Sequence, residues 1–479
     1  MSVLILILAL GLLMTVAYRG YSVIVGAPVC ALLAVLLTLG PQAMFPLFSE
    51  LFMGKMVEFV GQYLPVFLLG ALFGKLMELS GAAASISGWI VAIVGEKHSM
   101  WAIVLACGVL TYGGVSLFVV AFAVYPFAKA LFRSSMLPER LIPGTIALGS
   151  FTFTMDALPG TPQIQNVIPT TFFGTTVYAA PVLGICGAVF VLTCGMLYLR
   201  KRAADLGPQE WEPEEPAEAT SDPAVASTVK QAELPSPGLA FLPLLTVAVV
   251  NFFFTRYLAA GGKKDIEIVG LGLDAASIPK GDYVDGVVHM GKLAGVFAIE
   301  VALLCGLVVA AVIGFQRLKG QVRQGMEKAV AGAMLAALNT GSEYGFGAVI
   351  AAMPGFAVVK TLLSNAFANP LLNVAVSVNV LAGITGSASG GMSIALAAMA
   401  ENFKAAATAA DIPFEVLHRV ASMASGGMDT LPHNGAVITL LMITGMTHRQ
   451  SYRDIFAITC IKTAAVFVVI AIYSLTGWV

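Results

Sequence analysis

Apolar runs of about 18 to 25 residues begin near residues 2, 21, 57, 176, 237, 290, 329 and 454. A helix rises about 1.5 Å per residue, so each run matches a hydrocarbon core about 30 Å thick. The chain is 58% hydrophobic and 11% charged, far from the composition of a soluble domain. Lipid is therefore the solvent, and most backbone N–H and C=O groups must pair within helices. The formal net charge is −1 and the basic residues are scattered, which excludes a nucleic-acid surface. All 6 cysteines (Cys30, Cys107, Cys186, Cys194, Cys305, Cys460) lie in apolar stretches without CxxC or Cys/His spacing. They read as small core residues, with no metal, disulfide frame or cofactor expected. Ser2 to Tyr18 lacks a basic leader and a small-x-small site, so it reads as a first span rather than a signal peptide.

One hydrophilic stretch divides the chain. After Arg200, Lys201 and Arg202 comes a Pro-, Glu- and Ala-rich run containing Glu210, Glu212, Glu214, Glu215, Glu218 and Asp222. It is too polar to bury a core, so residues 200–236 read as a disordered cytoplasmic linker between a first half, 1–199, and a second, 237–479. Basic residues flanking spans mark the inner side: Arg19, Arg200–Arg202, Arg317, Lys319, Arg323, and His448, Arg449 and Arg453. Counting spans from these places both termini outside.

The two halves repeat each other. Gly113-Gly114-Val115-Ser116 is followed by Met155-Asp156-Ala157-Leu158-Pro159, and Gly390-Gly391-Met392-Ser393 by Met428-Asp429-Thr430-Leu431-Pro432, at about forty residues in each case. Upstream, Gly70-Ala71 with Gly81 answers Gly347-Ala348 with Gly355. The copies cover about 57–199 and 329–477. The charge rule starts them on opposite sides, so they are expected to be inverted. Parity then requires Ser99–Lys129 and Pro370–Met399 to be re-entrant hairpins, each with its Gly-Gly-x-Ser at the tip, leaving Arg133 and Arg140 inside. The expected fold is an all-α polytopic membrane protein of two inverted-topology repeats, each with a re-entrant helical hairpin and a broken transmembrane helix.

Leu158-Pro159-Gly160-Thr161-Pro162 and Leu431-Pro432-His433-Asn434-Gly435 cannot continue a helix. Non-helical backbone survives at depth only inside protein or beside a wet cavity. Each break should free a helix N-terminus suited to an anion. Neither the breaks nor the tips contain arginine or lysine, so an anion would be held by amides and hydroxyls. The polar side chains there are Thr111, Tyr112 and Ser116; Thr152, Thr154, Thr161, Gln163 and Asn166; Thr385, Ser387, Ser389 and Ser393; and Ser425, Thr430 and Asn434. With Gly113, Gly114, Gly390 and Gly391 they suit a hydroxy-carboxylate. The competing explanation is close helix packing by small residues. Ionisable residues at depth are candidates for coupling: Asp156 and Asp429, which could equally cap the broken helices, His433, which could equally be a neutral ligand, and Glu343. Glu300 is a weaker candidate, and Glu78 is expected beside Lys75 at a span end.

At Thr111-Tyr112-Gly113-Gly114-Val115-Ser116, Leu158-Pro159-Gly160-Thr161-Pro162 and Gly386-Ser387-Ala388-Ser389 the sequence resembles the gluconate permease (GntP) family of the ion transporter superfamily, through most of the chain apart from the linker. Gluconate-type members resemble one another in an acidic, aromatic hairpin tip, whereas the neutral tip here looks more like the branch for short hydroxy acids such as 3-hydroxybutyrate. The resemblance implies a multi-pass, proton-coupled symporter of bacterial inner membranes, a homodimer, carrying a small organic acid anion. A sodium-coupled carboxylate carrier is the nearest alternative. An intramembrane aspartyl protease using Asp156 and Asp429, and a passive channel, are weaker ones. No GxxxxGK[ST] run occurs, so an ion gradient rather than ATP should drive transport, and no enzymatic activity is expected.

Overall fold

The computed structural model describes residues 2–19, 21–95, 98–115, 117–211, 234–259, 265–267, 287–318, 322–356, 358, 367, 369–385, 387–428, 430–432 and 434–479. Ser116, Asp429 and His433, and most of the expected linker, lie outside these residues. The first half contains α1 (Ser2–Tyr18), α2 (Val23–Leu39), α3 (Gly54–Leu79), α4 (Ala82–Val94), α5 (Ser99–Tyr112), α6 (Leu117–Ser134), α7 (Ile142–Ser150), α8 (Ile164–Phe173) and α9 (Pro181–Leu206). A π-helical segment, Leu47–Met53, leads into α3. The second half contains α10 (Pro237–Ala259), α11 (Met290–Leu318), α12 (Val322–Ala352), α13 (Pro370–Thr385), α14 (Ala388–Ala409), α15 (Phe414–Ser425), α16 (Gly435–Ile443) and α17 (His448–Thr476). A small antiparallel pair, β1 (Asp265–Glu267) and β2 (Val287–His289), links α10 to α11 with Asp265 opposite His289. Among the described residues the protein is all-α and polytopic apart from that pair.

Among the described residues, 5 helical stretches are long and apolar enough to cross a membrane: Pro41–Leu79, Pro181–Leu206, Pro237–Leu258, Gly295–Leu318 and His448–Thr476. α5 and α13 have 14 and 16 residues, which makes each roughly 20 to 25 Å long and too short for a full crossing. Each packs against the following helix, α6 or α14, as arms of the two expected hairpins. Both expected breaks are present, between α7 and α8 and between α15 and α16.

The halves interlock. α8 packs on α14 and α15, α9 on α17, and α7 on α17. At one end Asp454, fully buried, meets Arg202 (Nε to Oδ1 3.1 Å) and Arg140 (Nε to Oδ2 3.6 Å) and accepts from the Tyr198 hydroxyl at 2.8 Å. Arg140, Arg202 and the start of α17 thus share one end of the bundle, the grouping expected from the charge rule. α9 stays helical to Leu206, into the stretch read as linker. Gln209 N then donates to Met136 O and Trp211 Nε1 to Leu137 O. Lys75 and Glu78 pair at 2.5 Å near the end of α3, as expected. Cys30 and Cys107 are buried, but Cys460 is exposed, so it is not the core residue its apolar neighbours suggested.

Candidate functional site

The first break starts after α7. A single turn, Phe153–Asp156, is followed by non-helical chain to Gln163, the N-cap residue of α8. Carbonyls freed by such a break must find donors or lose several kcal/mol each in an apolar interior. Arg419, on α15 and fully buried, supplies most of them. Its Nε donates to Ala179 O at 3.1 Å, Nη1 to Asp156 O at 3.0 Å and Asn166 Oδ1 at 3.1 Å, and Nη2 to Ala179 O at 2.7 Å and Val177 O at 3.5 Å. All five guanidinium donors are thereby engaged with neutral oxygens, so Arg419 contributes its field to the site rather than a free hydrogen bond. Ser422 Oγ also donates to Asp156 O, at 2.8 Å.

The Asp156 carboxylate pairs with Lys462 on α17 at 2.9 Å, both side chains 2% exposed, and Lys462 Nζ also donates to Phe151 O at 2.5 Å. Gly426 leaves room for this pair, since a Cβ there would overlap both Asp156 Oδ2 and Lys462 Nζ. Two expectations change here. Asp156 ends its turn in an ion pair rather than capping the next helix. And although the breaks contain no cation, two cations reach the first break from distant sequence, because a buried carboxylate and open carbonyls need them.

Asn166 anchors the other side. Its Nδ2 donates to Thr161 O and Val177 O at 3.0 and 2.8 Å, which leaves Oδ1 to accept from Arg419 and from His418 Nε2 at 3.1 Å. His418, also fully buried, is thus assigned the Nε2–H tautomer, with Nδ1 accepting from Thr175 Oγ1 at 2.6 Å.

The first hairpin tip sits on this break. Tyr112 Oη donates to Pro159 O at 2.9 Å and Gln163 Nε2 to Thr111 O at 2.8 Å. Gly114 has φ +96°, and a Cβ there would lie 3.2 Å from Pro162 Cγ. Gly113 packs on Leu244. Gly160, with φ +83°, packs on the Tyr178 ring, and its carbonyl accepts from Asn251 Nδ2 at 3.1 Å. Thr154 Oγ1 donates to Gly149 O at 2.7 Å. Thr111 Oγ1 and Thr161 Oγ1, in fully buried residues, have no hydrogen-bond partner among the described residues.

The second hairpin differs from expectation. Its turn is at Ser387, which caps α14 by accepting from Gly390 N at 3.1 Å. Gly390 and Gly391 therefore lie in the first turn of α14 rather than at the tip. They permit close approach: a Cβ on Gly391 would overlap Ala382 of α13, and one on Gly390 the Glu343 carboxylate. Glu343, on α12, is 2% exposed. Ser387 hydrogen-bonds its carboxyl, and Thr340 and Ser389 hydroxyls meet at 3.2 Å beside it. Ser393 Oγ and Glu343 Oε2 have no partner among the described residues. At the second break Asn434 caps α16, accepting from Ala436 N and Val437 N at 2.6 and 3.1 Å. α13 packs on this break, with Gly383 against Met428 and Gly427 against Asn379.

The structure thus gathers Thr111, Tyr112, Gly113, Gly114, Thr154, Asp156, Thr161, Gln163 and Asn166 around the first break, and Glu343, Ser387, Ser389, Gly390, Gly391 and Ser393 along the α12–α14 seam. α8 and α15 join the two groups. Arg419, His418, Ser422, Asn251 and Lys462 were not anticipated. Lys462, a cation inside the apolar run after residue 454, carried a readable signal; Arg419 and His418, just upstream of the second break, carried a weaker one.

A bundle of apolar helices with two short hairpins, two broken helices and polar groups at their meeting place defines a polytopic membrane transporter. No family model matches the chain. It is 55% identical over 482 residues, 100% of both chains, to the uncharacterized transporter YxjC of Bacillus subtilis, and it belongs to that transporter's family. An uncharacterized permease of Haemophilus influenzae is 31% identical over 189 residues, 38% of this chain and 37% of that one. In fold, the chain is similar to the Alcanivorax borkumensis YdaH transporter, whose topology is described as unusual (TM-score 0.55, 17% identity, covering 92% of this chain and 90% of that one). It is also similar to Neisseria gonorrhoeae MtrF (TM-score 0.51, 14% identity, 91% and 85%). These two likenesses concern the fold alone.

Proposed function

We propose that the protein is a secondary active transporter of the gluconate-permease kind, a proton-coupled symporter of a small hydroxy-carboxylate, 3-hydroxybutyrate-like or gluconate-like, across the bacterial inner membrane. It works as a homodimer of two inverted-repeat halves joined by a cytoplasmic linker. One observation carries this reading: at the first break two buried cations, Arg419 and Lys462, stand against one described carboxylate, Asp156, beside buried hydroxyls, Thr111 and Thr161, with no described partner. A positive field with hydroxyls suits a carboxylate that also carries hydroxyl groups. Substrate enters between the first tip, the first break and the second hairpin, with Gln163, Asn166, Ser387 and Asn434 shaping the walls. Asp429 and His433, candidates for coupling from the sequence, lie outside the described residues. The hairpins move against the remaining helices to give alternating access.

A sodium-coupled carboxylate carrier is the second reading, favoured by the oxygen-rich seam of Thr340, Glu343, Ser387 and Ser389. Uptake of labelled 3-hydroxybutyrate or gluconate into proteoliposomes, under an inward proton gradient without sodium, separates the two. Uncoupler-sensitive uptake supports the proton reading, and a strict sodium requirement replaces it with the second.

A further inference from the structure

We infer that Glu343, at the seam between α12 and α14, is the residue that carries the coupled proton. The inference rests on the proposed symport and assigns its coupling site.

The seam is a built site. Glu343 is 2% exposed, its carboxyl fills the space that Gly390 leaves empty, and Ser387, the cap of α14, hydrogen-bonds it. Oε2 has no hydrogen-bond partner among the described residues. An isolated ionised carboxylate in such a place loses far more solvation than a neutral acid. The charged groups on the packed elements have other partners: on α15, which packs on α14 and also carries Glu415, His418 and Arg419 bond to Asn166 and to carbonyls of the first break. On α3, Lys55 pairs with Glu58 and Lys75 with Glu78. On α12, Arg323 pairs with Glu327, with Lys328 beside them. On α14, Glu401 pairs with Lys404. α2 carries no acidic or basic residue, and the π-segment before α3 carries Glu50. Asp156 is the contrasting case, ion-paired with Lys462 at 2.9 Å.

The seam lies between α12 and one arm of a hairpin, so protonation and hairpin position are linked. With the proton on Oε2 the acid is neutral and α14 closes on α12. When the O–H bond breaks, the proton passes to water and the carboxylate needs the seam open for hydration.

The test uses the full-length protein in proteoliposomes and Glu343→Gln. The variant should lose uncoupler-sensitive accumulation at least tenfold while retaining counterflow of labelled 3-hydroxybutyrate or gluconate. Glu343→Asp should keep proton-driven accumulation with a displaced pH profile. Accumulation by Glu343→Gln at the wild-type level overturns the assignment. A second measurement is independent of transport: the melting temperature of the purified wild type should fall as pH rises from 6 to 9, by several degrees more than that of Glu343→Gln. Parallel melting curves also overturn it. Failure of the wild type to move any hydroxy acid, with the melting difference present, refutes the substrate reading and leaves the seam site intact.

Discussion

At the scale of single residues, the Asp156–Lys462 pair and the hydroxyls with no described partner make opposite predictions. Removing Lys462 by substitution with Met leaves the buried Asp156 carboxylate without its direct ion partner, which should destabilise the protein by about 3–5 kcal/mol. Asp156→Asn added to it should recover most of that loss in detergent melts. If the double variant melts no higher than the single, the pair does not act as a unit. Thr154 donates to Gly149 O at 2.7 Å, so Thr154→Val should cost about 1 kcal/mol of stability. The Thr161 hydroxyl has no described partner, so Thr161→Val should melt within a few tenths of a kcal/mol of wild type while raising KM for the acid severalfold. The positions of the tip hydroxyls were legible because Ser and Thr cluster there beside Gly and Pro in apolar runs, although close helix packing explains such residues too. Arg419 was not, because apart from Asn166 its partners are backbone carbonyls of residues 156, 177 and 179, and a carbonyl leaves no mark in a sequence.

At the scale of elements, hairpins and breaks follow from local rules: proline ends a helix, and glycine provides positive φ or close approach. Gly114 at φ +96° does the first of these for the α5–α6 tip, and Gly391 against Ala382 does the second for α13–α14. The repeat suggested that both Gly-Gly pairs are tips, but equal spacing does not impose equal use. In the second hairpin Ser387 caps α14 and moves the turn ahead of the pair. Gly391→Ala should therefore force the arms apart and cost about 1–3 kcal/mol, lowering accumulation and counterflow together. A variant that melts and exchanges like wild type would show that the arms do not rely on this contact.

At the scale of the molecule, first-half backbone is satisfied by second-half side chains, and Asp454 ties Arg140 and Arg202 to α17. Asp454 is fully buried while its arginines are partly exposed, so Asp454→Asn should cost about 1–3 kcal/mol, less than breaking a fully buried pair, read as a lower melting temperature. Such ties join residues hundreds of positions apart. Hydropathy and repeats revealed the elements but not their partners, because only packing decides which buried charge meets which carbonyl. The most direct test of the whole account is uptake of labelled 3-hydroxybutyrate, lactate, glycerate, gluconate and citrate into proteoliposomes with an imposed inward proton gradient. The account predicts uncoupler-sensitive accumulation of at least one hydroxy acid, abolished by Arg419→Ala. Uptake that ignores the proton gradient, or none of any acid by correctly inserted protein, would contradict it.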